Sequence, residues 1–376
     1  MVNTPSTKIR VLIVDDSAFM RKVLETIFNT DSQLQVIGHA KDGREAVALA
    51  ESLKPDVITM DINMPHMDGL QATAHIMTTN PRPIVVVSSE SRDGAASTLK
   101  ALELGAIEFI AKPSGAIDLD MQSIREDLLR KVKMAAKVRV VRTASRLAAT
   151  LQSPTAAPRN SNPRPANLPN PISSAPDVRF PVVVLAASTG GPATVMRLAP
   201  GFTKEFPAAV ILVQHMPATF TTQFAAQLSE FTEIRVKEAE AGDIVQPGTL
   251  YICPGAQHLR VNPLGRIQLD AVSGRIAGYL PNIDVTMESV AAYGGALSIG
   301  VVLTGMGADG AQGARAIKKA GGYVIAQDEA TSVIFGMPAE AIKLQAVDQV
   351  LGIDDIYSAI EKRVLALTRA TPVGAR

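Results

Sequence analysis

Between residues 154 and 176 the chain carries prolines at 154, 158, 163, 165, 169, 171 and 176, set among Ser, Asn, Thr and Ala and without one aromatic residue. Such a segment has too little apolar surface to offset the entropy lost on ordering, so it reads as an extended, solvated linker. No single core can run through it. The full length of 376 residues also exceeds one ordinary domain. The sequence therefore divides into a first domain over 1–140, a linker over 141–177 and a second domain over 178–376. With 47% of residues hydrophobic, there is material for two cores.

Before the linker, apolar runs at 10–15, 35–39, 57–61, 84–88 and 109–111 alternate with amphipathic stretches such as 18–28 and 43–53. A closing helix is expected over 121–138, with Met121, Ile124, Leu128, Val132 and Ala135 on one face. Strand and helix alternating in this way predict a flavodoxin-like parallel sheet of five strands, order 2-1-3-4-5. After the linker the alternation resumes. Strands are expected over 182–186, 210–214, 250–253, 299–304 and 323–326, and helices over 193–198, 218–231, 284–293, 311–319 and 338–345. The stretch 252–269 suits a short antiparallel hairpin instead. The second domain is thus a doubly wound, mostly parallel α/β unit. Ligands in such folds sit at the carboxyl ends of the strands, where the strand order reverses.

Those strand ends carry chemistry in both halves. In the first, Asp15 and Asp16 follow one strand and Asp61 another, so three carboxylates converge. Crowded carboxylates need a cation, and oxygen ligands with room for water suit Mg²⁺. Ser88 ends the next strand and Lys112 follows the last, bringing a hydroxyl and an ammonium to the same crevice. A nucleophilic carboxylate, a metal and two groups for phosphoryl oxygens are what an aspartyl-phosphate requires. One aspartate at a strand end is commonly just a helix cap; the ordered set is far more specific. It resembles the receiver domain of bacterial response regulators over roughly residues 8–138. The resemblance implies that Asp61 accepts the phosphoryl group and that Asp15, Asp16 and the Asn63 carbonyl help hold Mg²⁺. It further implies that Ser88 and Lys112 sense the phosphoryl group and that Phe109 is a rotating aromatic switch.

In the second half, Leu185-Ala186-Ala187-Ser188-Thr189-Gly190-Gly191-Pro192 ends a strand, turns on small residues and opens a helix. That geometry lifts a hydroxyl above the sheet edge and aims helix N–H groups beside it, as a serine nucleophile needs. Taken alone, such a turn is more often a helix cap or an anion site. Ser188 is preferred to Thr189 because it stands at the strand end. For the base, His215 directly follows a strand, whereas His258 lies in the irregular region, so His215 is preferred. Asp309, after the strand at 299–304, is placed to orient it; triads are recognised by geometry, not chain order. The same segment spells G-x-G-x-x-G at Gly305, Gly307 and Gly310, with Asp328 and Glu329 after the next strand. By its letters this is a dinucleotide fingerprint. A carboxylate beside a pyrophosphate and a place late in the domain argue against it.

A net charge of +1 gives no general attraction to nucleic acid or membrane. No apolar run approaches the roughly 18 residues of a membrane span. Asp15 and Asp16 arrive after only a short apolar run, which does not suit a secretory signal. The single cysteine, Cys253, excludes an internal disulfide framework and fits a reducing compartment. A cytoplasmic protein is expected.

Four segments then converge: Ser188-Thr189-Gly190-Gly191, Gln214-His215-Met216-Pro217, Leu303 through Gly310, and Thr331 through Pro338. Together they resemble the chemotaxis protein-glutamate methylesterase family. The resemblance implies hydrolysis of glutamate γ-methyl esters on the cytoplasmic helices of chemoreceptors, releasing methanol, and deamidation of certain receptor glutamines. It implies Ser188 as nucleophile, His215 as base, Asp309 as orienting carboxylate and the Met306 N–H in the oxyanion site. No cofactor is implied for ester hydrolysis, and only Mg²⁺ for the receiver. The expected partners are chemoreceptors and a chemotaxis histidine kinase, with no nucleic acid and no membrane insertion. An unphosphorylated receiver is expected to pack over the Ser188 edge. Two other functions are weighed: a response regulator with a non-catalytic binding output domain, and a dinucleotide-dependent oxidoreductase.

Overall fold

The computed structural model describes residues 8–88, 91–112, 120–138, 180–271 and 279–370. The proline-rich stretch read as a linker lies outside the described residues.

The first unit runs β1 (Ile9–Val14), α1 (Ala18–Phe28), β2 (Leu34–Ala40), α2 (Gly43–Leu53), β3 (Val57–Met60), α3 (Gly69–Thr79), β4 (Ile84–Ser88), α4 (Arg92–Glu103), β5 (Glu108–Ala111) and α5 (Asp120–Ala135). Its sheet has order β2-β1-β3-β4-β5, with every ladder parallel. The central strands β3 and β4 are wholly buried because helices cover both faces, which is why they read as continuous apolar runs. Helix starts follow local chemistry. Ser17, Asp42, Asp68 and Ser91 each accept an N–H of the first turn, and Asp68 forms a capping box with Gln71. Leu128, Val132 and Ala135 of α5 are buried against this sheet.

The second unit begins β6 (Val182–Ala187), α6 (Gly191–Leu198), β7 (Ala209–Gln214), α7 (Ala218–Leu228), β8 (Arg235–Glu238) and β9 (Thr249–Ile252). A hairpin of β10 (Gln257–Val261) and β11 (Ile267–Ala271) follows, antiparallel as expected. The chain then forms α8 (Ile283–Gly294), β12 (Ser298–Val302), α9 (Ala311–Lys319), β13 (Tyr323–Gln327), α10 (Met337–Lys343), β14 (Gln349–Leu351) and α11 (Ile353–Ala370). Seven parallel strands lie in the order β14-β13-β12-β6-β7-β9-β8. The chain leaves β6 towards β7 and returns on the other side to β12. The order therefore reverses at β6, and the carboxyl ends of β12, β6 and β7 frame a switch-point crevice.

The two units touch. Among the described residues, one buried apolar cluster includes members of both, and α4 lies along α7. The contact face is formed by β5, α4 and α5 of the first unit.

Candidate active site

Three strand ends bring Ser188, His215 and Asp309 together. Ser188 follows β6, His215 follows β7, and Asp309 lies in the loop between β12 and α9. His215 Nδ1 is 3.0 Å from Ser188 Oγ, and its Nε2 is 2.7 Å from Asp309 Oδ2. With the proton on Nε2 donated to Asp309, the Nδ1 lone pair accepts the serine hydroxyl. The arrangement can deprotonate a serine as it attacks a carbonyl.

Each member is braced by backbone. Ser188 N donates to Thr304 O, and Gly191 N donates to Ser188 O, closing the turn. Gly190 takes φ +74°, and a side chain there would also strike Val333. Gln214 Nε2 donates to both Ser188 O and His215 O, tying two strand ends together. Asp309 is buried beneath the start of α8, where the N–H groups of Ile283 and Asp284 donate to its two carboxylate oxygens. A helix N-terminus is a favourable place for that negative charge. His258 is not part of this chain of contacts: its Nδ1 accepts Asn282 N, and burial pulls its imidazole below the ordinary range. The Thr189 hydroxyl donates to Glu108 of the first unit.

The loop from Gly305 to Gly307 lies beside this chain. Gly305 N donates to Ile334 O, while Gly305 O accepts Gly336 N and Met337 N. The segment 331–337 thus fastens the loop that carries Met306. The glycines of the dinucleotide-like fingerprint serve the turn into α9, and Asp309 within it is engaged by His215 and α8.

At the carboxyl edge of the first sheet, one oxygen each of Asp15, Asp16 and Asp61 lies within 4.8 Å of the others. Lys112 Nζ bridges Asp15 Oδ2 at 3.0 Å and Asp61 Oδ2 at 2.8 Å. Burial pushes the Asp61 carboxyl above its ordinary range despite the Lys112 ammonium, and Asp15 adds to the push. Burial alone would pull Lys112 down; Asp61 and Asp15 outweigh it and leave it raised. Asp15 Oδ2 is buried with no hydrogen bond of good geometry, only the Lys112 ion pair. An all-oxygen donor set with an under-satisfied buried carboxylate fits a hard divalent cation such as Mg²⁺. Ser88 O accepts Lys112 N, placing the Ser88 and Lys112 ends side by side. Asn63 stands exposed two residues beyond Asp61.

Comparison with known proteins gives the chain its family. The profile of the CheB methylesterase family matches residues 183–360, and that of the response regulator receiver domain matches residues 11–125. A protein-glutamate methylesterase/protein-glutamine glutaminase of Pyrococcus abyssi is 42% identical over 95% of this chain and 94% of its own length. That of Halalkalibacterium halodurans is 39% identical over 95% and 99%. A further one, from Nitratidesulfovibrio vulgaris, is 44% identical over 94% and 98%. The chain belongs to the CheB methylesterase family.

Within that family frame, the receiver touches the residues beside Ser188 directly. Thr189 Oγ1 donates to Glu108 Oε2 at 2.7 Å, and Lys131 Nζ lies 3.6 Å from Glu108 Oε1. Phe109 stacks on Phe220 of α7 with ring centroids 4.4 Å apart, and Lys131 donates to the Phe109 carbonyl. Arg130 contacts the Met306 sulfur at 3.5 Å. Phe109 was legible from the receiver pattern; Glu108 was not. Its signal was a lone carboxylate in a short apolar strand, a position that calls for a buried partner.

Proposed function

We propose that this chain is a phosphorylation-controlled carboxylic ester hydrolase acting in the cytoplasm for chemotactic adaptation. It removes methyl groups from glutamate γ-methyl esters on the cytoplasmic helices of chemoreceptors, and deamidates receptor glutamines at the same site. The observation that carries this reading is the continuous Ser188–His215–Asp309 hydrogen-bonded chain in a member of a methylesterase family. Ser188 Oγ attacks the ester carbonyl as His215 Nδ1 takes its proton. Asp309 holds the Nε2–H and balances the imidazolium. The Met306 N–H stabilises the oxyanion. The tetrahedral intermediate collapses to an acyl-serine, and His215 returns the proton to the departing methoxide as methanol. Water, deprotonated by His215, then attacks the acyl-serine and releases glutamate and free Ser188.

Control lies in the receiver, which we assign to 1–140, with the linker over 141–177 and the hydrolase over 178–376. Asp61 accepts a phosphoryl group from a chemotaxis histidine kinase. Asp15, Asp16, Asp61 and the Asn63 carbonyl would hold Mg²⁺, which when bound supplies positive charge to phosphoryl oxygens. Ser88 and Lys112 bind those oxygens. Lys112 must then loosen its hold on Asp15 and Asp61, and the change passes along β5 to Glu108 and Phe109. The docked receiver restrains Thr189 and covers the Ser188 turn; phosphorylation favours the undocked state.

Methanol release from methylated receptor membranes tests the reading, with and without a small phosphodonor and Mg²⁺. Ser188→Ala is expected to abolish release. Asp61→Asn is expected to keep the basal rate and lose the stimulation. Release that persists in Ser188→Ala would overturn the assignment.

A further inference from the structure

The His215 ring does not stand alone in its crevice. Tyr279 lies parallel to it, with ring centroids 4.4 Å apart and planes 6° from coincidence. Both hydrogen bonds of the imidazole lie in its own plane, so tipping the ring breaks its contacts with Ser188 and Asp309 together. Tyr279 fills the space into which the ring would tip. The phenol also extends over the neighbouring loop: Gly307 takes φ +87°, and a Cβ there would stand 2.6 Å from the Tyr279 hydroxyl. Three residues further on, Asn282 caps α8, whose first N–H groups hold Asp309. One short segment, 279–284, therefore grips two members of the triad, the imidazole by its face and the carboxylate by its oxygens.

We propose that Tyr279 is a positioning residue of the hydrolase: its ring keeps the His215 imidazole in the plane joining Ser188 to Asp309. The same face attracts the imidazolium that forms when the serine proton is taken. This rests on the triad reading given above. It assigns the work to the aromatic ring and none to the hydroxyl.

The test uses the full chain, activated by a small phosphodonor, on methylated receptor membranes. Tyr279→Phe keeps the ring, whereas Tyr279→Met and Tyr279→Leu fill the space without a flat face. The expected result is kcat within about twofold of wild type for Tyr279→Phe and lowered at least about tenfold in both aliphatic variants, with KM unchanged, the effect of a misplaced base. Labelling of Ser188 by a serine-directed phosphonate should slow in parallel. A loss of equal size in Tyr279→Phe, a loss confined to KM, or wild-type kcat in the aliphatic variants would each overturn the proposal. Ser188→Ala run alongside separates the two levels. If it is inactive while the Tyr279 variants are normal, only this inference fails; if it is active, the triad reading fails and takes the inference with it.

Discussion

The two sheet edges use one architecture for opposite electrostatic purposes. At the receiver edge, carboxylates crowd around one lysine, and the central one, Asp61, is pushed up by burial. At the hydrolase edge the Asp309 carboxylate is met by two backbone N–H groups and an imidazole. The first edge is poorly compensated, so an added cation would relieve it. At the second the Asp309 charge already has its hydrogen-bond donors in place, so the proposed triad would need little rearrangement during reaction. A parallel sheet gathers side chains at its carboxyl edge; what the flanking helices offer decides whether the result is a switch or a catalyst.

The contrast breaks most visibly at Asp309. Asp309→Asn should lower kcat by roughly 10³-fold or more, the scale seen when a triad carboxylate is lost, while phosphorylation of Asp61 by a small phosphodonor stays normal. A defect in phosphorylation would mean that the two edges are not independent. Next in size is the link between them. Phe220→Ala or Glu108→Ala should raise methanol release by the unphosphorylated chain about tenfold, the weight of one buried charged hydrogen bond or aromatic stack. An unchanged basal rate would show that the docked contact does not restrain the site.

A smaller effect sharpens the electrostatic half. Because folding raises the Asp61 pKa, its favourable contribution is complete below the ordinary value of 3.8 and vanishes as pH climbs through the raised value. In EDTA, Asp61→Asn should therefore melt a few degrees above wild type at pH 7, and that advantage should shrink towards pH 4. An advantage independent of pH would refute the titration argument. The smallest effect is a null one at a nucleophile-type side chain on the hydrolase edge. Cys253 follows β9, is fully buried, and burial pushes its thiol up to about 12. A disulfide reagent at pH 8 should leave the folded chain unlabelled while Ser188 reacts with its own reagent; rapid labelling would show that edge to be open to solvent.

Much of this was legible because strand ends are legible. Apolar runs marked β1, β3, β4, β6, β7 and β12, and the candidate site residues stand at their carboxyl ends or in the loops that follow. The runs that were missed lack that signal. β8 is Arg-Val-Lys-Glu at the sheet margin and only partly buried, and β14 has three residues with two exposed. The register of Ile353, Ile356, Ile360 and Val364, all buried on α11, was present at helical spacing yet lay beyond the last strand read. Glu108 and Tyr279 are a different case. Each acts on a partner far along the chain, Glu108 on Thr189 81 residues away. No local pattern reports such a pairing; only the docking of two units, or of a loop across a crevice, creates it. The support of Asp309 by α8 is likewise a product of the fold.

The contact between β5 and the Ser188 turn has a kinetic consequence that follows from both units being on one chain. Docking is unimolecular, so the receiver faces the hydrolase at an effective concentration in the millimolar range. The docked face combines an aromatic stack, a buried hydrogen bond and a shared apolar cluster, and on one chain such a face can stay docked even where it would be too weak to hold separate molecules together. At that effective concentration an interface worth about 4 kcal/mol as a bimolecular complex would be docked only about half the time, whereas about 6 kcal/mol would keep it docked in most molecules, and a shift of a few kcal/mol on phosphorylation would open it. A receiver supplied as a separate protein would have to reach millimolar concentration to do the same work.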